Sequence, residues 1–236
     1  MGNFIETSQE QFDVASAQRT LFKNVYAWMA LALVVTGLTA YYVANSPTIL
    51  GMIFGSGAAL IGLCIAQFAL VIGLSAAINK ISFTAAGIMF VVYSILTGIT
   101  LSSILLVYTS ESVALTFFVT AGTFGAMALY GTVTNKDLSG MGSILFMALI
   151  GLIIASVANW FFHSSGLAMI ISYAGVLIFV GLTAYDAQKI KNMLSVYGSE
   201  VNEASMKIAL MGSLELYLDF INLFLHLIRI LGSRRN

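Results

Sequence analysis

Seven long runs of apolar residues dominate this 236-residue chain. A helix that crosses a bilayer needs about 20 apolar residues, because the hydrocarbon core is about 30 Å thick. Strands of an outer-membrane barrel would be about ten residues long and would alternate apolar with polar side chains. The runs here are twice that length and apolar throughout, so they predict an all-α membrane protein with seven transmembrane helices. We place the spans at residues 21–43, 50–78, 83–108, 112–134, 142–162, 166–190 and 206–231.

The composition supports a membrane protein and excludes some other classes. The chain is 59% hydrophobic and 8% charged, whereas soluble domains carry about 25% charged residues. The formal net charge is zero, so there is no basic surface to suggest nucleic-acid binding. A single cysteine, Cys64, cannot form an intramolecular disulfide. We expect the lipid bilayer as the surrounding medium and no cofactor.

Polar residues mark the two ends of the predicted membrane domain. Residues 1–20 are polar and lack the basic start and short apolar core of a secretory signal, so we expect a mobile, cytoplasmic N-terminal tail. Residues 21–231 form the transmembrane domain, and residues 232–236 form a short basic C-terminal tail.

Lysine and arginine concentrate in alternate loops, as the positive-inside rule requires. The positive side includes Arg19, Lys80 and Lys136, which predicts a cytoplasmic N-terminus. Seven crossings then place the C-terminus outside, although it carries Arg234 and Arg235. Either the positive charges of the earlier loops determine the orientation in spite of this tail, or the last segment does not fully cross the membrane. Its uncharged stretch is short for a lipid-facing helix, so we expect the seventh helix to be central and wrapped by the other six.

Two aspartates, Asp186 and Asp219, lie within apolar runs of the last two spans. A carboxylate at the centre of a spanning helix costs roughly 2.5–3.5 kcal/mol on insertion scales, and such residues usually mark functional sites. Adjacent antiparallel helices can bring the two together. Counting 1.5 Å per residue puts Asp186 about 28 Å from one edge and Asp219 about 18 Å from the other. These depths disagree, so their contact is a hypothesis from spacing.

Two carboxyl groups in contact cannot both ionise cheaply, and they share one proton as a coupled unit. A shared proton would clamp two helices, and its loss would create repulsion and a site for a hard cation. In the alternative interpretation, each aspartate accepts a hydrogen bond from Tyr185, Tyr217, Asn222 or a lysine.

Neighbouring residues enlarge the candidate site. Glu215 lies one turn before Asp219 on the same helix face, and a cluster of acids would suit calcium. Lys80 would supply a counter-charge or latch, unless it only sets the topology. His226, seven residues after Asp219, is more typical of a packing residue than of a metal ligand.

At these residues the chain resembles the Bax inhibitor-1 family, also called the transmembrane Bax inhibitor motif family, in its bacterial inner-membrane branch. The motifs are TAYDAQKIK, LYLDFINLFLHLIRILG, TGITLSSILLVYT and TNKDLSGMGSILFMALIG. The resemblance implies seven helices with the last one central, and a di-aspartyl pH sensor at Asp186 and Asp219. In the family, proton sharing by this pair is associated with a closed state and deprotonation with calcium leak. Two departures are Glu215, where relatives carry a small or hydroxyl residue, and Lys80, near the place of an arginine in some members.

Three functions are compatible with these residues. The first is a pH-sensitive calcium leak channel of the bacterial inner membrane, gated by Asp186 and Asp219, which would also bind the permeating calcium transiently. The second is a regulatory protein that binds another membrane protein, such as a protease or quality-control complex. The third is an intramembrane aspartyl protease, but the glycine-flanked and proline-containing motifs of that class are missing. We therefore expect a channel and not an enzyme.

Overall fold

Long helices account for most of the chain. The computed structural model describes residues 2–235, with side chains from residue 13 onward. Seven of its helices are long and apolar enough to cross a membrane, which confirms the predicted fold class. In this described part the helices are α1 (Gly2–Ala44), α2 (Pro47–Phe54), α3 (Gly57–Ala77), α4 (Phe83–Val107), α5 (Ser110–Val133), α6 (Ser139–Phe162), α7 (Ser165–Tyr197) and α8 (Glu203–Leu231).

The second predicted span, residues 50–78, is divided in the structure. Pro47 begins the short helix α2, at the first helical position where a missing N–H costs nothing. Gly55, a weak helix former, ends that helix, and Ser56 has extended backbone angles. The spanning helix is therefore α3 alone, and Pro47 opens a helix where a loop was expected.

The polar N-terminal segment continues the first spanning helix. Helix α1 begins at Gly2, so residues 2–20, which we expected to be a mobile tail, are helical. Neither proline nor glycine interrupts residues 3–36, and a helix propagates easily through such a stretch. A domain boundary at residue 20 stays a prediction.

The chain forms two compact units. The first unit consists of the chain up to Val107 together with Asn192–Leu214. The second unit consists of Tyr108–Lys191 together with the chain from Glu215 onward. In the first unit, the Thr36 hydroxyl of α1 donates to the Ser94 carbonyl of α4 at 3.0 Å. Helix α7 contributes residues 165–191 to the second unit and 192–197 to the first, and helix α8 contributes residues 203–214 to the first and 215–231 to the second.

In the second unit, the C-terminal tail is attached to the beginning of α5. The backbone N–H of Thr109 donates to the Ser233 carbonyl at 3.0 Å, and the N–H of Ser233 donates to the Ser112 hydroxyl at 2.9 Å. The end of α8 therefore lies beside the start of α5. Phe220, earlier in α8, packs against Phe124, further along α5, so these two helices run antiparallel.

Helix α8 is the most enclosed of the seven spans. In its most apolar window 67% of the residues are buried, against at most 39% in any other span. This burial explains how a span with so short an uncharged stretch is accommodated. The arrangement of six helices around it stays a prediction.

Candidate functional site

Three side-chain contacts set the register between α7 and α8 in the second unit. Lys189 Nζ lies 2.7 Å from Glu215 Oε1. The carboxyl groups of Asp186 and Asp219 are within hydrogen-bonding distance of each other. The rings of Phe179 and His226 stack with their centroids 5.7 Å apart. From the first contact to the third, the residue numbers fall along α7 and rise along α8, as antiparallel packing requires.

The structure thus brings the two intramembrane aspartates together. The counted depths disagreed because the apolar run of α7 ends before the helix does: α7 continues to Tyr197, which places Asp186 about 17 Å from that end, close to the 18 Å counted for Asp219. The helical ends are polar enough to be missed as parts of spans. Contact between the aspartates needs no unusual tilt.

Asp219 is the buried member of the pair, and Asp186 is half-buried. Asp219 is only 4% exposed, and its Oδ2 atom has no hydrogen-bond partner among the described residues. Asn222, which we considered as a partner, instead donates its amide to the Leu218 carbonyl of its own helix at 2.8 Å. Two carboxyl groups this close cannot both ionise cheaply, and the sharing of one proton by this pair stays a prediction.

Glu215 is engaged by a cation and does not form a free third acid. Its salt bridge to Lys189 is partly accessible, with the two side chains 32% and 37% exposed. Lys189 also interacts electrostatically with Asp186, and Glu215 with both aspartates. Within residues 13–235, no group of three or more His, Cys, Asp or Glu side chains is arranged to hold a metal ion. The three acids therefore do not form a preformed calcium site.

The cation beside the aspartates is Lys189. Lys80 is exposed in the turn between α3 and α4, where its backbone N–H donates to the Ala77 carbonyl at 2.7 Å, and its role as a latch stays a prediction. The sequence carried a signal for Lys189, because it follows Asp186 by three residues and Glu215 precedes Asp219 by four. In antiparallel helices these mirrored offsets place the two charges opposite each other.

The α7 segment that carries Asp186 is fixed to α5 and to the loop that follows it. The buried amide of Gln188 accepts from the N–H of Leu138 and donates to the Lys136 carbonyl, both at 2.8 Å. Lys191 Nζ donates to the Thr132 carbonyl at the end of α5 at 2.6 Å. A methyl group added at Gly131 would overlap the Ala184 backbone, so α5 and α7 approach closely here. Our sequence reasoning missed Gln188, since a lone glutamine near a helix end has no distinctive spacing.

Comparison with known proteins agrees with the resemblance. A profile of the family described as inhibitor of apoptosis-promoting Bax1 matches residues 18–236. The inner membrane protein YbhL of Escherichia coli K12 is 52% identical over 217 residues, which are 92% of this chain and 93% of that protein. A protein of Borreliella burgdorferi is 46% identical, with 98% and 99% of the two chains covered. A Rickettsia prowazekii protein is 43% identical, with 92% and 91% covered.

Proposed function

The chain belongs to the Bax inhibitor-1 family, and on this premise we propose that it is a pH-sensitive calcium leak channel of the bacterial inner membrane. Protonation of Asp186 and Asp219 gates the channel. The observation that carries the proposal is the contact between these two carboxyl groups, which come from two spanning helices and of which Asp219 is buried.

A shared proton favours the closed channel. With one proton between them, Asp186 and Asp219 attract each other and hold α7 against α8. When that proton leaves, two negative charges face each other at short range. At about 4 Å and an effective dielectric constant near 20, this repulsion is on the order of 4 kcal/mol. That energy exceeds what is needed to change the closed-to-open ratio by a factor of ten, so calcium flux rises as the pH rises.

The same deprotonation creates the attraction for calcium. The cluster holds three carboxyl groups and one ammonium, that of Lys189. Loss of the shared proton therefore leaves an excess of two negative charges. Calcium prefers carboxylate oxygens and takes six to eight ligands. Two aspartates supply too few for tight binding, and a weak, transient site suits an ion that passes through.

Two other functions compete with this proposal. An aspartyl protease would need room for a peptide beside both carboxyl groups, and the burial of Asp219 favours a latch over such a site. Regulation through another membrane protein would need a stoichiometric partner. Crosslinking in native membranes would detect it.

Calcium flux into liposomes tests the proposal. We expect purified protein to pass calcium into vesicles that hold a calcium-sensitive dye, with flux rising between about pH 5 and pH 8. Asp219→Asn removes the negative charge and keeps the hydrogen-bonding shape, so it should hold the flux near its acidic level at all pH values. Asp186→Asn should do the same.

Asp137→Asn is the matched control. Asp137 is a fully exposed carboxylate in the loop between α5 and α6, and its replacement should leave the flux profile unchanged. Calcium flux no higher than that of empty liposomes would contradict the proposal, and so would an unchanged pH profile in both aspartate variants.

A further inference from the structure

His226 fills the α7–α8 interface two turns away from the aspartate pair. It lies seven residues after Asp219 on α8, which places it about 10 Å further along the helix on the same face. The imidazole is 8% exposed and stacks on Phe179 at an interplanar angle of 25°. Its Nδ1 atom is buried and has no hydrogen-bond partner among the described residues. The nearby charge is Arg229, on the same helix.

Gly175 provides the space for this ring. A methyl group added at Gly175 would overlap three atoms of the imidazole. Carbon atoms pack at about 3.5–4.0 Å, so the ring would have to retreat by about 1 Å or more. It cannot do so freely, because Phe179 stacks on it and the surrounding protein buries it. An added methyl group would therefore push α7 and α8 apart.

We propose that Gly175 and His226 form a positioning contact: because glycine leaves room for the ring, α7 and α8 approach closely enough for Asp186 and Asp219 to share a proton. A hydrogen bond between oxygens is lost beyond about 3.5 Å. Gly175 lies 11 residues, or about three turns, before Asp186, and because helices are stiff over this length, a displacement of about 1 Å at Gly175 is enough to separate the carboxyl groups. The inference rests on the proposed function for its flux readout, but the contact itself is independent of calcium.

The buried Nδ1 atom gives His226 a second effect on closure. An unpaired polar atom is costly in the closed interface, and that cost disappears when separation of the helices admits water. His226 therefore occupies the closed interface while making closure less favourable. Removal of the ring should retain closure at acidic pH.

A double-mutant rescue tests the contact. Gly175→Ala should raise calcium flux at acidic pH by roughly tenfold, the change in the closed–open equilibrium expected for one overpacked methyl group. His226→Ala should close at acidic pH as the wild type does. The Gly175→Ala/His226→Ala protein should regain closure, because the added methyl group then occupies space that the ring has left. Gly151→Ala is the matched control, since a methyl group there meets nothing within 4 Å.

A second readout does not need calcium. Leu182 and Leu223 are buried on the same two faces, between the His226 contact and the aspartates. In a Cys64→Ser background, Leu182→Cys and Leu223→Cys should form a disulfide readily at acidic pH, slowly with Gly175→Ala, and readily again with the double variant.

The two readouts separate the two failures. If liposomes that contain the wild-type protein pass no calcium while the crosslinking rates follow this order, the channel proposal is wrong and the positioning contact is supported. If Gly175→Ala leaves both readouts unchanged, or if the double variant behaves like Gly175→Ala, the positioning contact is overturned.

Discussion

At the scale of single residues, the site is a short ladder of paired charges. Lys189 and Glu215 form one rung, and Asp186 and Asp219 form the next. The ion pair is about one-third exposed, so its own contribution to stability is small. The ion pair matters more for the aspartates beside it, because the Lys189 ammonium offsets the negative charge of the neighbouring carboxyl groups. In the proposed mechanism, the balance among these four groups sets the pH at which the pair loses its proton.

Charge-neutralising variants of the ion pair should move the pH of closure in opposite directions. Lys189→Met leaves three acids without a cation, so they hold the shared proton more strongly and closure should persist to higher pH. Glu215→Gln removes one acid and should shift closure to lower pH. A unit charge at this range is worth on the order of 1 kcal/mol after solvent screening, or about one pH unit.

The measurement is the midpoint of calcium flux against pH for both variants and for the double variant. The double variant should lie near the wild type, because the two changes cancel in charge. Shifts of the same sign in the two single variants would contradict this electrostatic account.

At the scale of helices, most boundaries follow from apolar run length, and the failures have physical causes. The run over residues 50–78 concealed the break at Gly55 and Ser56, because small residues do not interrupt hydropathy. The polar ends of α7 and α8 were missed because hydropathy marks the lipid-facing part of a helix and not its full length. The aspartates and Glu215 were predictable as isolated charges in apolar runs. Gln188 and Gly175 were not, since their importance depends on the neighbours that the fold supplies.

Gln188 should be a major stability determinant of the α5–α6 loop. Gln188→Met keeps the approximate volume but leaves the Leu138 N–H and the Lys136 carbonyl without their partner. An unsatisfied buried group costs about 1–3 kcal/mol. The bond to Leu138 is buried and the bond to Lys136 is partly buried, so we expect the free energy of unfolding in detergent to fall by about 2–4 kcal/mol.

Gln67→Met is the comparison for Gln188→Met. Gln67 donates one partly buried hydrogen bond, to the Thr100 hydroxyl at 2.9 Å, and such interhelical bonds average about 0.6 kcal/mol in membrane proteins. Equal losses in the two variants would show that the two bonds of Gln188 have no special weight.

Asp137 should give the same loop an acid-sensitive component. The hydroxyl and the N–H of Ser139 hydrogen-bond to the Asp137 carboxylate, and these bonds hold its pKa below the usual value. A lowered folded pKa contributes stability above the unfolded pKa, about 3.9, and that stability is lost as the pH falls through the folded value. The wild type should therefore be more stable than Asp137→Ala near pH 6. The difference in unfolding temperature should shrink below about pH 4, and a constant difference would contradict the assignment.

At the scale of the whole molecule, the C-terminal tail bears on the number of crossings. The positive-inside rule gave a conflict, because the basic tail and the lysine-rich loops should lie on one side. The backbone hydrogen bond from Thr109 to Ser233 and the hydrogen bond from the Ser233 N–H to the Ser112 hydroxyl instead attach the tail to the start of α5. The loop that contains Lys136 follows the other end of α5. A span of 24 residues separates these two ends, so the tail and Lys136 belong on opposite sides.

Labelling of single cysteines tests this topology directly. In a Cys64→Ser background, we replace exposed residues one at a time: Glu111→Cys beside the tail, Arg235→Cys in the tail, and Lys136→Cys at the other end of α5. A membrane-impermeant maleimide, added to cells with a permeabilised outer membrane, should label the first two and not the third, because we propose a cytoplasmic N-terminus. Labelling of Lys136→Cys alone would keep seven crossings and reverse their orientation. Labelling that separates Glu111→Cys from Arg235→Cys would contradict the attachment of the tail to α5, and with it the full crossing of α8.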